Sequence, residues 1–297
     1  MSGGSVVPFL IHAGAARGRV VRLTEAVATI LAGHEADPPV VRQTLAEMLA
    51  IATILASSLK YEGVFTLQIQ SDGPISFAVV DITHDGALRG YARYDADKIT
   101  ALAEIAQPNV NQLFGQGILA FTIDQLNVDD RYQGIVGLAG ESLTHCVESY
   151  FRMSEQIDTA LLVAARLEPQ PHAAALMVQR MPLEGHSPIQ TTEQRDDDWR
   201  RAMVLLRSTR PEEVFDLSLS SEALLYRLYH DDGLVCYEPR PIRAECRCSD
   251  DKIRRALQSV PRHELEAIRQ EAGVVEVVCE FCRTARRFDD LDALYGI

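Results

Sequence analysis

Apolar residues recur at three- and four-residue intervals from Val20 to about Leu59, in "VVRLTEAVATILAGH" and "VVRQTLAEMLAIATILASSLK". This spacing predicts two helices separated by the turn "EADPP". The period then drops to two. In "GVFTLQIQ", Phe65, Leu67 and Ile69 face one way and Val64, Thr66, Gln68 and Gln70 the other, and "ISFAVVDIT" and "ALRGYARYD" follow across "SDGP" and "HDG" turns. The pattern predicts a β-meander. "GILAFTID" and "YQGIVGLAG" read as further strands, "ESLTHCVESYFRMSEQ" as a helix with glutamate in its first turn, and "TALLVAARLE" with "HAAALMVQRM" as a closing strand pair.

Beyond Met181 the composition shifts to Pro, Gly, Thr and a dense charge run, "PLEGHSPIQTTEQRDDDWRR", which predicts a domain boundary. Two amphipathic helices follow. One carries Trp199, Ala202, Met203 and Leu206 on a single face, and the other Leu224, Leu225 and Leu228. The expected architecture is α+β: an N-terminal domain over residues 1–185 with a mixed or antiparallel sheet and flanking helices, a helical linker over 186–241, and a small module over 242–297.

Four of the six cysteines fall in that last module, as Cys246 and Cys248 in "AECRCSDD" and Cys279 and Cys282 in "VVCEFCRT". A structural zinc site takes four soft ligands in a tetrahedron, commonly as two short-range pairs. The second pair has the usual two-residue separation; the first, with one residue between, is less usual. The interval is filled by two short amphipathic helices, "DDKIRRALQSV" and "RHELEAIRQEAG", the second preceded by Pro261 and closed by Gly273. Incidental cysteines have no reason to fall at ligand spacing, so one zinc per chain is expected on Cys246, Cys248, Cys279 and Cys282. Spacing alone leaves open whether such a zinc is purely structural. Arg243, Arg247, Arg283, Arg286 and Arg287 surround the pairs in sequence and would favour thiolates.

Charge and length narrow the alternatives. A formal net charge of −13 over 297 residues argues against a general affinity for nucleic acid or anionic membrane. Charges between Arg243 and Ile297 nearly cancel, which removes the electrostatics that a zinc-stabilised nucleic-acid adaptor would need. The start "MSGGSVVPFLIHAG" lacks the pattern of a secretory signal, so the reducing cytosol is expected. The stretch Met48 to Leu59 is too short to span a bilayer and reads as a buried helix.

Over nearly its whole length the chain resembles the redox-regulated 33 kDa heat-shock chaperones, the 33 kDa chaperonin family. The resemblance rests on Cys246-Arg-Cys248 with Cys279-Glu-Phe-Cys282, "YFRMSEQ" (150–156), "RYQGIV" (131–136), "GALRGYAR" (86–93) and "RLYH" (227–230). It implies an ATP-independent holdase, not an enzyme, that is inactive when reduced and zinc-bound. On oxidative stress, disulfides Cys246–Cys248 and Cys279–Cys282 form, zinc leaves, the linker unfolds, and unfolding client proteins are bound. It also implies a cytoplasmic protein that dimerises when oxidised. Disulfides within each pair, unlike zinc, would close no loop across the interval. Two positions depart from the family pattern: Arg286, where an aromatic residue is common, and Asp158, where proline is common.

Other motifs carry less. Gly115 and Gly117 in "FGQGILA" precede a strand rather than a helix, unlike a dinucleotide loop. Cys279 and Cys282 alone could belong to a thiol-disulfide oxidoreductase, but that motif sits at a helix start in a βαβ unit and has no partner pair. Cys146 and Cys236 are expected to be structural, His145 likewise, and "RDDDWRR" a solvated face.

Overall fold

Val20, Val21 and Leu23, expected in a helix, lie instead in a strand of the computed structural model, which describes residues 3–105, 107–126, 131–182 and 191–295. β1 (Gly4–Ile11) and β2 (Ala16–Leu23) form an antiparallel hairpin, and Val20 pairs with both Val7 and Leu176. Two β-branched residues that can pair on both sides outweigh a helical spacing that also continues across Thr24. Helix α1 (Glu25–Ala32) starts only after that threonine, and α2 (Pro39–Ser57) follows with proline at its first position.

The meander is present as β3 (Gly63–Ser71), β4 (Ile75–Thr83) and β5 (Ala87–Tyr94). Short helices α3 (Ala96–Thr100) and α4 (Val110–Phe114) lead to β6 (Gly117–Gln125) and β7 (Arg131–Gly137). Next comes α5 (Leu143–Tyr150), capped by Ser142, so that Glu141 precedes the helix instead of occupying its first turn. It runs into one turn of π-helix, Phe151–Glu155, and the closing pair is β8 (Thr159–Arg166) and β9 (His172–Arg180). Helices α6 (Thr192–Ser208), α7 (Pro211–Phe215) and α8 (Ser221–Tyr229) precede three two-residue strands, β10 (Val235–Cys236), β11 (Arg240–Pro241) and β12 (Arg243–Ala244).

These elements make one compact unit, Met1–Ala244, and Glu245–Ile297 makes a second. The boundary expected at 185/186 falls outside the described residues. The first unit holds two sheets rather than one, in the orders β10-β1-β2-β9-β8 and β12-β5-β4-β3-β6-β7. Helix α2 is long and apolar enough to cross a membrane by length and composition, yet it is mostly buried in the core. It packs with Val6, Val21 and Leu23 of the first sheet and Phe65, Leu67, Val80 and Leu88 of the second. Nearly every position from Leu45 to Ala56 is buried because sheets lie on both sides of it.

The opposite face of the first sheet is apolar too. Val7, Phe9, Ile11, Val20, Leu176 and Val178 lie there under α6–α8, whose Ala202, Leu206, Leu224, Leu225 and Tyr229 form one cluster with them. Tyr229 of "RLYH" is fully buried, stacks on Phe9 at 5.6 Å and donates its hydroxyl hydrogen bond to the Ala202 carbonyl at 3.3 Å. Polar contacts rim this cluster. Arg22 donates to the carbonyls of Leu219 and Glu213, Arg180 pairs with Asp196 at 2.5 Å, and His12 stands 3.6 Å from Asp198. The "RDDDWRR" run is therefore not simply solvated: Asp196 ties α6 to β9 and Asp198 faces His12 just after β1, while Asp197 pairs with Arg200 on its own helix.

After α8 the chain forms a strap across both sheets. β10 and β11 pair with β1, and β12 pairs in parallel with β5. Gly86 allows the close approach: it has φ 88°, and a Cβ there would stand 2.4 Å from the Pro241 carbonyl oxygen. Asp85 accepts from Arg243 at 2.7 Å, and hydrogen bonds from Thr83 and then Arg243 hold its carboxyl down to about 2.

Truncating Tyr229 to Ala should open a cavity under the helices and cost about 3–5 kcal/mol, as for other large buried side chains. Hydrogen exchange should then accelerate in α6–α8 while β3–β5 stay protected; equal acceleration in both would show that cover and core unfold as one.

Candidate metal centre

The second unit has a small core of Leu257, Leu265, Val275, Phe288, Leu291 and Leu294. It is built from α9 (Asp250–Gln258), α10 (Arg262–Ala272), a hairpin of β13 (Val275–Val278) and β14 (Ala285–Phe288), and α11 (Leu291–Tyr295). Ser249 caps α9, and Gly273, at φ 81°, ends α10 in the left-handed region, so both helices of the interval form where the sequence places them. Cys279 and Cys282 occupy the turn between β13 and β14. That turn is closed by Arg283 N to Cys279 O at 2.8 Å and Cys279 N to Thr284 O at 3.1 Å, with Arg283 left-handed at φ 53°.

Cys246 and Cys248 lie in the extended chain just before α9 and meet this turn. The Sγ atoms of Cys246 and Cys279 are 3.7 Å apart and those of Cys248 and Cys282 3.6 Å, and all four sulfurs lie within 4.8 Å of one another. Disulfide sulfurs would be about 2.05 Å apart, so these are thiols. Four sulfurs bound at about 2.3 Å around a tetrahedral centre would be about 3.8 Å apart, which matches the two cross-pair distances. The cluster is compatible with a metal site, and its donor set is that of a soft or borderline ion.

Burial pushes the Cys246, Cys248 and Cys279 thiols up. Burial acts the same way on Cys282 but is outweighed by hydrogen bonds to Thr284 and the neighbouring thiols, which bring it down to about 6. Cys282 is thus the first of the four to become thiolate. The arginines contribute less than their sequence proximity suggests. Arg243 pairs with Asp85, Arg283 with Glu280 at 2.9 Å and Arg287 with Glu276 at 2.7 Å. Arg286 holds its proton more tightly because it donates to Asp250 at 2.5 Å and, secondly, to the Cys248 sulfur. The departure from an aromatic residue at this position thus places a cation against the cluster.

The remaining candidates occupy positions within the first unit. Cys146 is buried on α5, its sulfur 3.7 Å from the Ala139 carbonyl, and Cys236 packs at the edge of the cluster beneath α6–α8. Gly115 has φ 60° in a turn that enters β6. Asp158 stands 3.5 Å from Arg180. Two of the motifs quoted above meet in a feature that their separate patterns hide. Tyr132 and Tyr150 are 2.9 Å apart at their hydroxyls, and both donate to Glu155. Gly134 leaves room for this knot, since a Cβ there would stand 2.5 Å from the Tyr150 hydroxyl. Burial, then Glu155, pushes the Tyr150 phenol well up, so it stays a donor and fixes the π-turn to the sheet.

Replacing Arg286 by Ala should lower the thiolate fraction of the reduced, metal-free chain, because a cation favours the charged sulfur. Alkylation rate against pH should show its midpoint rising by up to about one unit; an unchanged or lower midpoint would mean that Arg286 serves only Asp250.

Similarity to known proteins extends over nearly the whole chain. A family model described as Hsp33 protein matches residues 4–289. The 33 kDa chaperonin of Caulobacter vibrioides is 34% identical over 274 residues, 92% of this chain and 90% of that protein. That of Vibrio parahaemolyticus is 37% identical over 277 residues, 93% and 89%. The crystal structure of the 33 kDa chaperonin, a heat shock protein 33 homolog, from Thermotoga maritima superposes with a TM-score of 0.81 over 98% of each chain at 23% identity, which bears on the fold. By its match to the family model and these identities, the chain belongs to the Hsp33 protein family, the 33 kDa chaperonins.

Proposed function

We propose that this chain is a redox-regulated holdase that binds unfolding proteins through the sheet face beneath α6–α8, and that the four thiols control access to that face. The observation that carries this reading is a continuity of the chain. Thr192–Ala244 covers an apolar sheet face, crosses both sheet edges as a strap, and reaches Cys246 two residues later. Whatever disorders the chain at Cys246 therefore acts directly on the end of the cover.

In the reduced state Cys246, Cys248, Cys279 and Cys282 would hold one zinc ion, which would tie the start of the second unit to its hairpin. Under peroxide each pair of thiolates would give up two electrons, forming Cys246–Cys248 and Cys279–Cys282, and each peroxide consumed would take two protons from solvent and leave as two waters. Cys282, whose thiol is brought down to about 6 and so is mostly thiolate at neutral pH, is the first nucleophile. Disulfide sulfurs no longer serve as four thiolate ligands, so the tie is lost. The second unit then keeps only its small apolar core, too little for a segment of this size.

Release of the strap would leave α6–α8 held by their packing alone. Val7, Phe9, Ile11, Leu176 and Val178, once uncovered, would offer unfolded chains an apolar strip on a still-folded sheet. No step consumes ATP or turns over a substrate. The cytoplasm, where thiols are kept reduced until stress, is the compartment in which such a switch has meaning. Two uncovered strips could pair, which would make the oxidised form a dimer.

The chain purified under reducing conditions should carry about one zinc, and Cys279→Ser should lose stoichiometric metal. Light scattering of a heat-unfolding client should show weak protection by the reduced chain and strong protection after peroxide. Strong protection by the reduced, metal-loaded chain, or tight stoichiometric metal in Cys279→Ser, would contradict the reading. Catalytic turnover of a small disulfide would favour an oxidoreductase instead.

A further inference from the structure

Helix α2 carries a carboxylate that no contact described so far uses. Glu47 lies on its N-terminal half among buried apolar neighbours and accepts a hydrogen bond from Gln43 Nε2 at 3.2 Å. Gln43 donates in turn to the Ala165 carbonyl at 2.9 Å, so the link from α2 to β8 belongs to Gln43 and not to Glu47. No cation partners Glu47 among the described residues. Burial pushes its carboxyl up, an effect that the Gln43 hydrogen bond only partly offsets. Glu47 is half-buried on the groove wall, and a partly desolvated acid without a counter-charge costs stability that Leu or Gln at this position would avoid.

Glu47 lines a groove of about 940 Å³ between the N-terminal half of α2, the turn after α3, α4 and the start of α5. Val40, Ile99, Leu102, Leu113 and Phe114 supply apolar wall. Among the described residues, the charged side chains that line it are Glu47 and Glu141, with no Lys, Arg or His. Its size is at the upper end of the roughly 300–1,000 Å³ of ligand pockets, more than one amine needs and enough for a few residues of chain. None of the lining residues belongs to the cluster covered by α6–α8, so this groove does not depend on that cover moving.

We propose that the groove binds a short apolar polypeptide segment that carries one lysine or arginine, with Glu47 receiving the cation. The apolar walls take the flanking side chains. The arriving ammonium or guanidinium supplies the counter-charge that Glu47 lacks, an interaction strengthened by the low polarity around it. Acidic or uncharged apolar segments gain no such pairing, so the groove discriminates by charge. This site is separate from the sheet face beneath α6–α8 and is open in the reduced chain.

The test is fluorescence anisotropy on the reduced full-length chain with a labelled leucine–alanine peptide bearing a central lysine, and with the same peptide bearing norleucine. The lysine peptide should bind roughly tenfold more tightly, equivalent to about 1.4 kcal/mol. Glu47→Gln should bring the two affinities together while leaving norleucine binding in place. Ala103→Trp, at an exposed lining position, should fill the groove and abolish both. Equal affinities on the unaltered chain, no binding of either peptide, a preference that survives Glu47→Gln, or binding indifferent to Ala103→Trp would each overturn the proposal. The comparison of the two peptides on the unaltered chain needs no variant to fold. Because it is made without oxidant, a failure here leaves the redox reading untouched.

Discussion

Two pairs of sulfurs that are far apart in sequence meet at 3.6–3.7 Å, and the second unit has little else to hold it together. Among the described residues, its six buried apolar side chains make a core smaller than a segment of this length needs for independent stability. A cross-link through the sulfurs removes disorder from the unfolded chain and draws the extended stretch before α9 onto the β13–β14 turn. Everything between β10 and β12 is anchored at one end by α8 and leads at the other toward that cross-link. On the proposed reading, the order of the strap would be linked by chain connectivity to the state of the four thiols.

The cover on the sheet is suited to reversible release for a related reason. α6 has 17 residues, α7 five and α8 nine, and isolated helices shorter than about 12–15 residues are marginal in water even with favourable sequences. α7 and α8 therefore exist because the sheet supplies an apolar surface, and much the same holds for α6 with its charged outer face. The sheet does not depend on them in the same way, since its other face packs on α2, which is itself held by the second sheet. Loss of the cover can thus uncover Phe9, Ile11 and Val178 without dissolving the strands that present them.

Most of this was legible in the sequence, for reasons that differ by element. The meander β3–β5 and the pair β8–β9 follow from strict alternation, and α9 and α10 from amphipathic spacing bounded by Ser249, Pro261 and Gly273. The sulfur cluster was legible because ligand spacing is a local property. The β1–β2 hairpin was hidden because "VVRLTEAVATILAGH" satisfies a helical period throughout, and only pairing with β9, distant in sequence, decides that Val20 to Leu23 are extended. The latch residues His12, Arg22, Asp196 and Asp198 carry no local signal, since their partners lie far along the chain. Glu47 reads as an ordinary polar position on a helix until the groove is seen beside it.

The central claim is that the state of the four thiols decides whether α6–α8 stay on the sheet. The chain has a single tryptophan, Trp199, half-buried on α6 against the covered face, which makes it a reporter of that contact alone. Its emission and its quenching by acrylamide should be followed as the reduced, metal-loaded chain is treated with peroxide, alongside client binding in the same sample. The account predicts a red-shifted, readily quenched Trp199 that develops together with client binding while far-ultraviolet circular dichroism keeps its strand signal. Client binding that develops with Trp199 still shielded would contradict it.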